Sequence, residues 1–85
     1  MTEFNYTITD ELGIHARPAG MLVKEADKFD SEISIYKNDN CGDAKRIFSV
    51  MSLGIKHGDK IKITINGKDE EEAKDTLYRF FKENL

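Results

Sequence analysis

The sequence is poor in three things that often decide a function class: cysteine, histidine and unbroken apolar stretches. Its single Cys41 cannot form an internal disulfide, in keeping with a reducing compartment. His15 and His57 are its only histidines, and no further histidine or cysteine stands at metal-ligand spacing. No metal centre and no cofactor site is therefore expected, and His57, just before Gly58-Asp59, reads as exposed loop. No apolar run approaches the ~20 residues that a bilayer-spanning helix needs. The opening Met1-Thr2-Glu3-Phe4-Asn5 has neither a basic region nor the apolar stretch of a secretory signal. A cytoplasmic protein without membrane insertion is expected. Excess positive charge is lacking too: 13 basic against 16 acidic side chains give a formal net charge of −3. Nucleic-acid binding rests on phosphate neutralisation, so this balance gives it no support.

With 85 residues the chain is expected to be one domain spanning 1–85. A chain this size buries about 60–65% of the surface its unfolded form exposes, which allows one modest core. Charge is uneven along it. Asp69, Glu70, Glu71, Glu72 and Asp75 surround only Lys74, whereas Lys45, Arg46 and Lys56 lie in the middle segment, where an acidic partner would dock.

Hydrophobic periodicity sets the elements. Phe4, Tyr6 and Ile8 alternate with polar residues and predict a strand, which Glu11-Leu12-Gly13 breaks. Ala19, Leu22, Val23 and Ala26 fall on one helical stripe. Ile33 and Ile35 predict a second strand, Lys37-Asn38-Asp39-Asn40 a turn, and the residues near Cys41 a short third strand. Ile47 to Leu53, stopped by Gly54, reads as a two-turn helix with Gly54 at the left-handed C′ position. Ile61, Ile63 and Ile65 mark the clearest strand, over Lys60 to Asn66. Asp69 with Glu72 has the spacing of a capping box, and Ala73, Leu77, Phe80 and Phe81 continue a helical stripe to the end. Alternating strands have one wet face. The predicted architecture is thus α+β, an open-faced sandwich with a four-stranded antiparallel sheet covered on one side by three helices.

Gly13-Ile14-His15-Ala16-Arg17-Pro18-Ala19 sits where the first strand gives way to the first helix. Gly13 permits a tight turn, and His15 falls at or beside the helix N-cap, ahead of unpaired backbone N–H groups. Pro18 suits a first turn but pushes Arg17 away from helical geometry. A helix N-terminus offers donors and partial positive charge to a phosphate, and the Arg17 fork adds bidentate hydrogen bonds. A neutral imidazole is a nucleophile near pH 7. A lone histidine at a helix start is most often solvated or capping, and the residues alone do not separate phosphate binding from phosphate transfer.

This segment resembles the active-site signature of the HPr family, the histidine-containing phosphocarriers of the bacterial phosphoenolpyruvate-dependent sugar phosphotransferase system. Val50-Met51-Ser52-Leu53-Gly54 resembles the family's short second helix, and length and element order agree over essentially the whole chain. The resemblance implies a carrier, not an enzyme. It implies that His15 accepts a phosphoryl group on Nδ1 from phosphorylated enzyme I and passes it to an enzyme IIA domain, with Arg17 stabilising the phosphate. The implied docking surface joins Gly20 and Lys24 to Ile47, Phe48 and Met51, with Phe48 the residue expected to be most exposed. Lys24 and Lys45 would steer acidic partners. A monomer is expected.

The chain departs from the family pattern at Arg46, which stands where many HPr proteins of low-GC Gram-positive bacteria carry a kinase-regulated serine. An arginine cannot accept that phosphate and is a poor N-cap, leaving Asp43 or a water to compensate. Two other function classes remain: a regulatory module of the same fold that signals through its phosphorylation state, and an RNA-binding domain using Tyr36 on the open sheet face.

Overall fold

The computed structural model describes residues 1–85. Its elements run β1 (Thr2–Thr7), α1 (Ala16–Ala26), β2 (Glu32–Lys37), β3 (Asn40–Asp43), α2 (Ile47–Met51), β4 (Lys60–Asn66) and α3 (Glu70–Asn84). The strands form one antiparallel sheet in the order β1-β4-β2-β3. This is the open-faced, three-helix architecture that the periodicity predicts.

Register explains why one face is dry. Phe4 pairs with Ile63, Ile63 with Ile35 and Ile35 with Gly42, and the next row brings Ile65 beside Ile33. With period-2 alternation these side chains share the helix-covered face. They join Leu22, Val50, Leu77 and Phe81 in one core of twenty buried residues. Glycine ends the first row because a Cβ at Gly42 would stand 2.9 Å from the Ser49 carbonyl oxygen, so only glycine lets α2 close on β3. Phe81 packs edge-on against Phe4 at 5.9 Å between ring centroids and lies 5.5 Å from Tyr6, which locks α3 onto β1. On the wet face, Lys62 Nζ lies 5.0 Å from the Tyr36 ring centroid and partly covers the strands' one aromatic there. With a single, partly covered ring, that face is ill-suited to stacking bases.

Four local expectations need correction. Helix α1 begins at Ala16, so Arg17 is helical despite the following proline. Pro18 falls within the first turn, where N–H groups have no intrahelical acceptor and its missing donor is no loss. Helix α2 ends at Met51 rather than running two full turns. Leu53 and Gly54 donate to Val50 and Met51 in tighter three-residue steps, and the left-handed Gly54 (φ +61) lies beyond the C′ position.

Asp69 does occupy the N-cap of α3, but no capping box forms. Its carboxylate turns to the loop before β2 instead, accepting from the N–H groups of Asp30 (2.9 Å) and Ser31 (3.0 Å) and from the Ser31 hydroxyl. These donors, Ser31 Oγ first, hold the Asp69 carboxyl below the usual carboxylate range. Glu70 supplies the end of the helix, accepting from Gly67 N at 3.2 Å. Arg46 is the N-cap of α2 and makes no capping bond, as its side chain dictates. Asp43 instead binds the residues leading into the helix: its Oδ1 accepts from Lys45 N (2.9 Å), its carbonyl from Arg46 N (3.0 Å), and its Oδ2 lies 3.6 Å from Arg46 Nε.

Candidate functional site

The loop between β1 and α1 is fastened on two sides. Thr9 N and Asp10 N donate to the Leu85 backbone oxygen at 2.6 and 2.9 Å, joined by Thr9 Oγ1 at 3.0 Å. Ile8 exchanges bonds with the segment before β4, donating to Asp59 O (2.9 Å) and accepting from Gly58 N (2.8 Å). Asp10 shapes the turn, its Oδ2 accepting from Leu12 N and its carbonyl from Gly13 N, both at 3.0 Å. Gly13 is then forced twice over. Its φ is +67, and a Cβ would fall 2.6 Å from Lys56 Cα and still closer to the Ile55 carbonyl. Ile14 N donates to that same carbonyl at 3.1 Å.

His15 follows as the N-cap of α1, with extended backbone (φ −96, ψ −172) and its carbonyl accepting from Ala19 N at 2.9 Å. Its side chain makes no capping bond, which leaves the half-exposed imidazole free for other chemistry. The first turn carries no acidic residue, so the N–H groups and the positive end of the helix dipole face outward uncompensated. Arg17, in that turn, is exposed and belongs to none of the four ion pairs. An imidazole, a guanidinium and a helix N-terminus thus meet at the rim of one open depression. It is lined by Asp10, His15, Arg17, Pro18, Met21 and Asn84. Such a place fits a tetrahedral oxyanion, with backbone donors and a planar cationic fork beside one another.

Asp10, Met21 and Asn84 were not singled out from the sequence. Asp10 carries a local signal, an acid three residues before a turn glycine. Asn84 carries none, because only the folding of α3 across the sheet brings it near His15. Its Nδ2 donates to Phe80 O at 3.0 Å. His57 lies in exposed loop as expected, with Nδ1 3.2 Å from Thr9 O. No cluster of three histidine, cysteine or acidic side chains is placed to hold a metal ion.

The helical surface beside the depression is mixed. Gly20 faces Ile47, whose Cδ1 would lie 3.8 Å from an added Cβ, and Ile47 is half-buried against the core. Phe48 is 83% exposed, Met51 38% and Met21 39%, an unusual concentration of large apolar side chains on a chain with so many charges. Lys24 is exposed and unpaired in the last turn of α1. Lys45 is half-buried, and its ammonium donates to Phe29 O at 2.6 Å, joining the chain after α1 to the entry of α2.

Known proteins match both the sequence and this geometry. The model of the family described as the PTS HPr component phosphorylation site matches residues 2–83. The phosphocarrier protein HPr of Mycoplasma capricolum is 47% identical over 73 residues, 86% of this chain and 82% of the relative. The solved histidine-containing phosphocarrier protein of Mycoplasma superposes with a TM-score of 0.91 at 42% identity, covering 93% of this chain and 90% of that one. An HPr dimer from Thermoanaerobacter tengcongensis superposes with a TM-score of 0.78 at 38% identity, covering 98% of this chain and 95% of that one. The chain belongs to the HPr family and is a phosphocarrier of the phosphotransferase system, not an enzyme.

Proposed function

We propose that His15 is the phosphoryl acceptor, that phosphorylated enzyme I is the donor and that enzyme IIA domains receive the group for sugar uptake. One observation supports this reading above others: the His15 side chain occupies an N-cap without capping, beside an unpaired Arg17. An imidazole nitrogen attacks the phosphorus, an N–P bond forms, and the bond to the donor breaks. Arg17 and the N-terminal amides of α1 hold the equatorial oxygens. Little else is needed, because phosphoryl transfer is mostly positioning and charge stabilisation. The reverse sequence, with the enzyme IIA acceptor as nucleophile, unloads the carrier. Residues 1–85 act as one domain, a cytoplasmic monomer that meets both partners through the same face. The direct test is incubation with purified enzyme I and phosphoenolpyruvate, without ATP. Stoichiometric phosphate incorporation is expected, and its absence would remove the proposal.

Docking centres on Gly20, Lys24, Ile47, Phe48 and Met51 around the site. Lys24 and Lys45 steer acidic partners, since the Lys45 ammonium keeps its charge while donating to Phe29 O. Phe48→Ala is expected to weaken association with enzyme I by about 2 kcal/mol, roughly thirtyfold, as for an apolar interface anchor. Its melting temperature should hardly move, because the ring is exposed. Titration calorimetry beside a thermal melt checks this: a large fall in melting temperature with normal affinity would make Phe48 a structural residue. No kinase phosphorylation is expected at the family's usual regulatory position, since Arg46 has no hydroxyl. Ser49 Oγ is already engaged by Asp43 N at 2.8 Å, and Ser52 Oγ by Ser49 O at 2.8 Å.

A further inference from the structure

The segment from Gly54 to Asp59 does no chemistry, yet it meets the His15 loop at both ends. Ile55 O receives Ile14 N, and the backbone of Ile55 and Lys56 forms the wall against which Gly13 is seated. Asp59 O and Gly58 N pair with Ile8 at the other end of the same loop. What holds this segment is an unusual side chain. Lys37 has the parity of Ile33 and Ile35, so it projects on the covered side of the sheet, at the very end of β2. There its half-buried ammonium donates to Gly54 O at 2.8 Å and pairs with Asp59 Oδ2 at 3.0 Å. A single cation thus closes both ends of the 54–59 loop. The same Oδ2 accepts from Lys56 N at 2.8 Å, and Asp59 N donates to Lys56 O at 3.0 Å.

We propose that the Lys37–Asp59 pair is a positioning device for phosphoryl transfer, holding the 54–59 loop as the cradle that fixes Gly13, Ile14 and thereby the His15 imidazole. This rests on His15 being the acceptor. The pair does not line the depression at His15; it acts through the Ile55–Ile14 hydrogen bond, one residue before the N-cap. The Asp59 carboxyl is held below its usual range, first by the Lys56 N–H and then by Lys37, which agrees with a carboxylate fully engaged in the clamp. Losing either charge leaves the Gly54 carbonyl or the Asp59 carboxylate without its partner, and the cradle slackens. Transfer rates are sensitive to such displacement, since a shift of about 1 Å at a reacting group can slow a reaction on the order of a hundredfold.

The test measures the single-turnover rate from phosphorylated enzyme I to the native chain, Lys37→Met, Asp59→Asn and Lys37→Arg, well below their melting temperatures. Hydrogen exchange at the Ile14 amide is followed in parallel. At saturating carrier, Lys37→Met and Asp59→Asn should each transfer about tenfold more slowly, with KM little changed because docking residues are untouched. Their Ile14 amides should exchange faster. Lys37→Arg, which keeps a cation able to reach both oxygens, should recover most of the rate. Lys28→Met, which removes the exposed Lys28–Glu25 pair (3.1 Å), should leave the rate unchanged. Native rates in folded Lys37→Met and Asp59→Asn would overturn the proposal, as would slow transfer with an unaltered Ile14 amide. A native chain that takes no label at His15 would instead remove the reading beneath it, and that result precedes any variant.

Discussion

His15→Ala is expected to abolish phosphate incorporation from enzyme I and phosphoenolpyruvate, whereas His57→Ala leaves it intact. Both imidazoles are accessible, so exposure alone does not separate them. Their surroundings do. His57 stands in a turn with Nδ1 3.2 Å from Thr9 O. A ring that donates from Nδ1 to that carbonyl has its lone pair on Nε2 alone. No helix N-terminus or arginine stands ready for the incoming oxyanion there. His15 has both, and its side chain makes no bond to its own helix. For the same reason the alanine variant keeps its fold: an N-cap side chain that forms no capping bond contributes little to helix stability. Loss of label with an unchanged melting temperature is therefore the expected pair of results. The native label should be acid-labile and base-stable, as an N–P bond requires. Label persisting in His15→Ala would move the acceptor elsewhere and overturn the assignment.

Much of this candidate site was legible in the sequence because its residues are local. Gly13, His15, Arg17 and Pro18 lie within six residues, and a strand-to-helix junction fixes their relation whatever the rest of the chain does. The sheet was legible for a related reason: Ile61, Ile63 and Ile65 can share a face only in a strand, and a buried face specifies its register. What escaped depends on non-local partners. The capping-box spacing of Asp69 and Glu72 is a local signal, but the N–H groups of Asp30 and Ser31, nearly forty residues away, compete for the Asp69 carboxylate and win. Lys45 reads as a solvated base until the fold puts Phe29 O within 2.6 Å of its ammonium. Lys37 is the clearest case. At a turn, after a strand whose apolar residues set the parity, a lysine is ordinarily a solubilising end. Only the path of the 54–59 loop, passing by the end of β2, turns it into a clamp.

Arg17→Ala is expected to slow transfer by a factor of about 10²–10³, the loss of about 2–4 kcal/mol seen when one donor is removed from an oxyanion site. The effect belongs to the transition state. Arg17 forms no ion pair within the chain, which leaves its fork free for an external anion, and in the proposed role its bonds would strengthen as charge develops on the transferring phosphoryl group. Arg17→Lys should recover only part of the rate, since an ammonium cannot make two parallel bonds to neighbouring oxygens. Stability should move the other way. A cation in the first turn of α1 opposes the helix dipole by about 0.3–1 kcal/mol, and alanine is the better helix former. The alanine variant should thus melt no lower than the native chain, and slightly higher at low ionic strength. A residue that weakens its own helix at such a position points to chemistry rather than stability. Rapid-quench transfer kinetics beside thermal melts give both numbers. Equal rates in the native, alanine and lysine chains would reduce Arg17 to a solvated surface charge, and a lower melting temperature in the alanine variant would show a structural bond that the geometry does not contain.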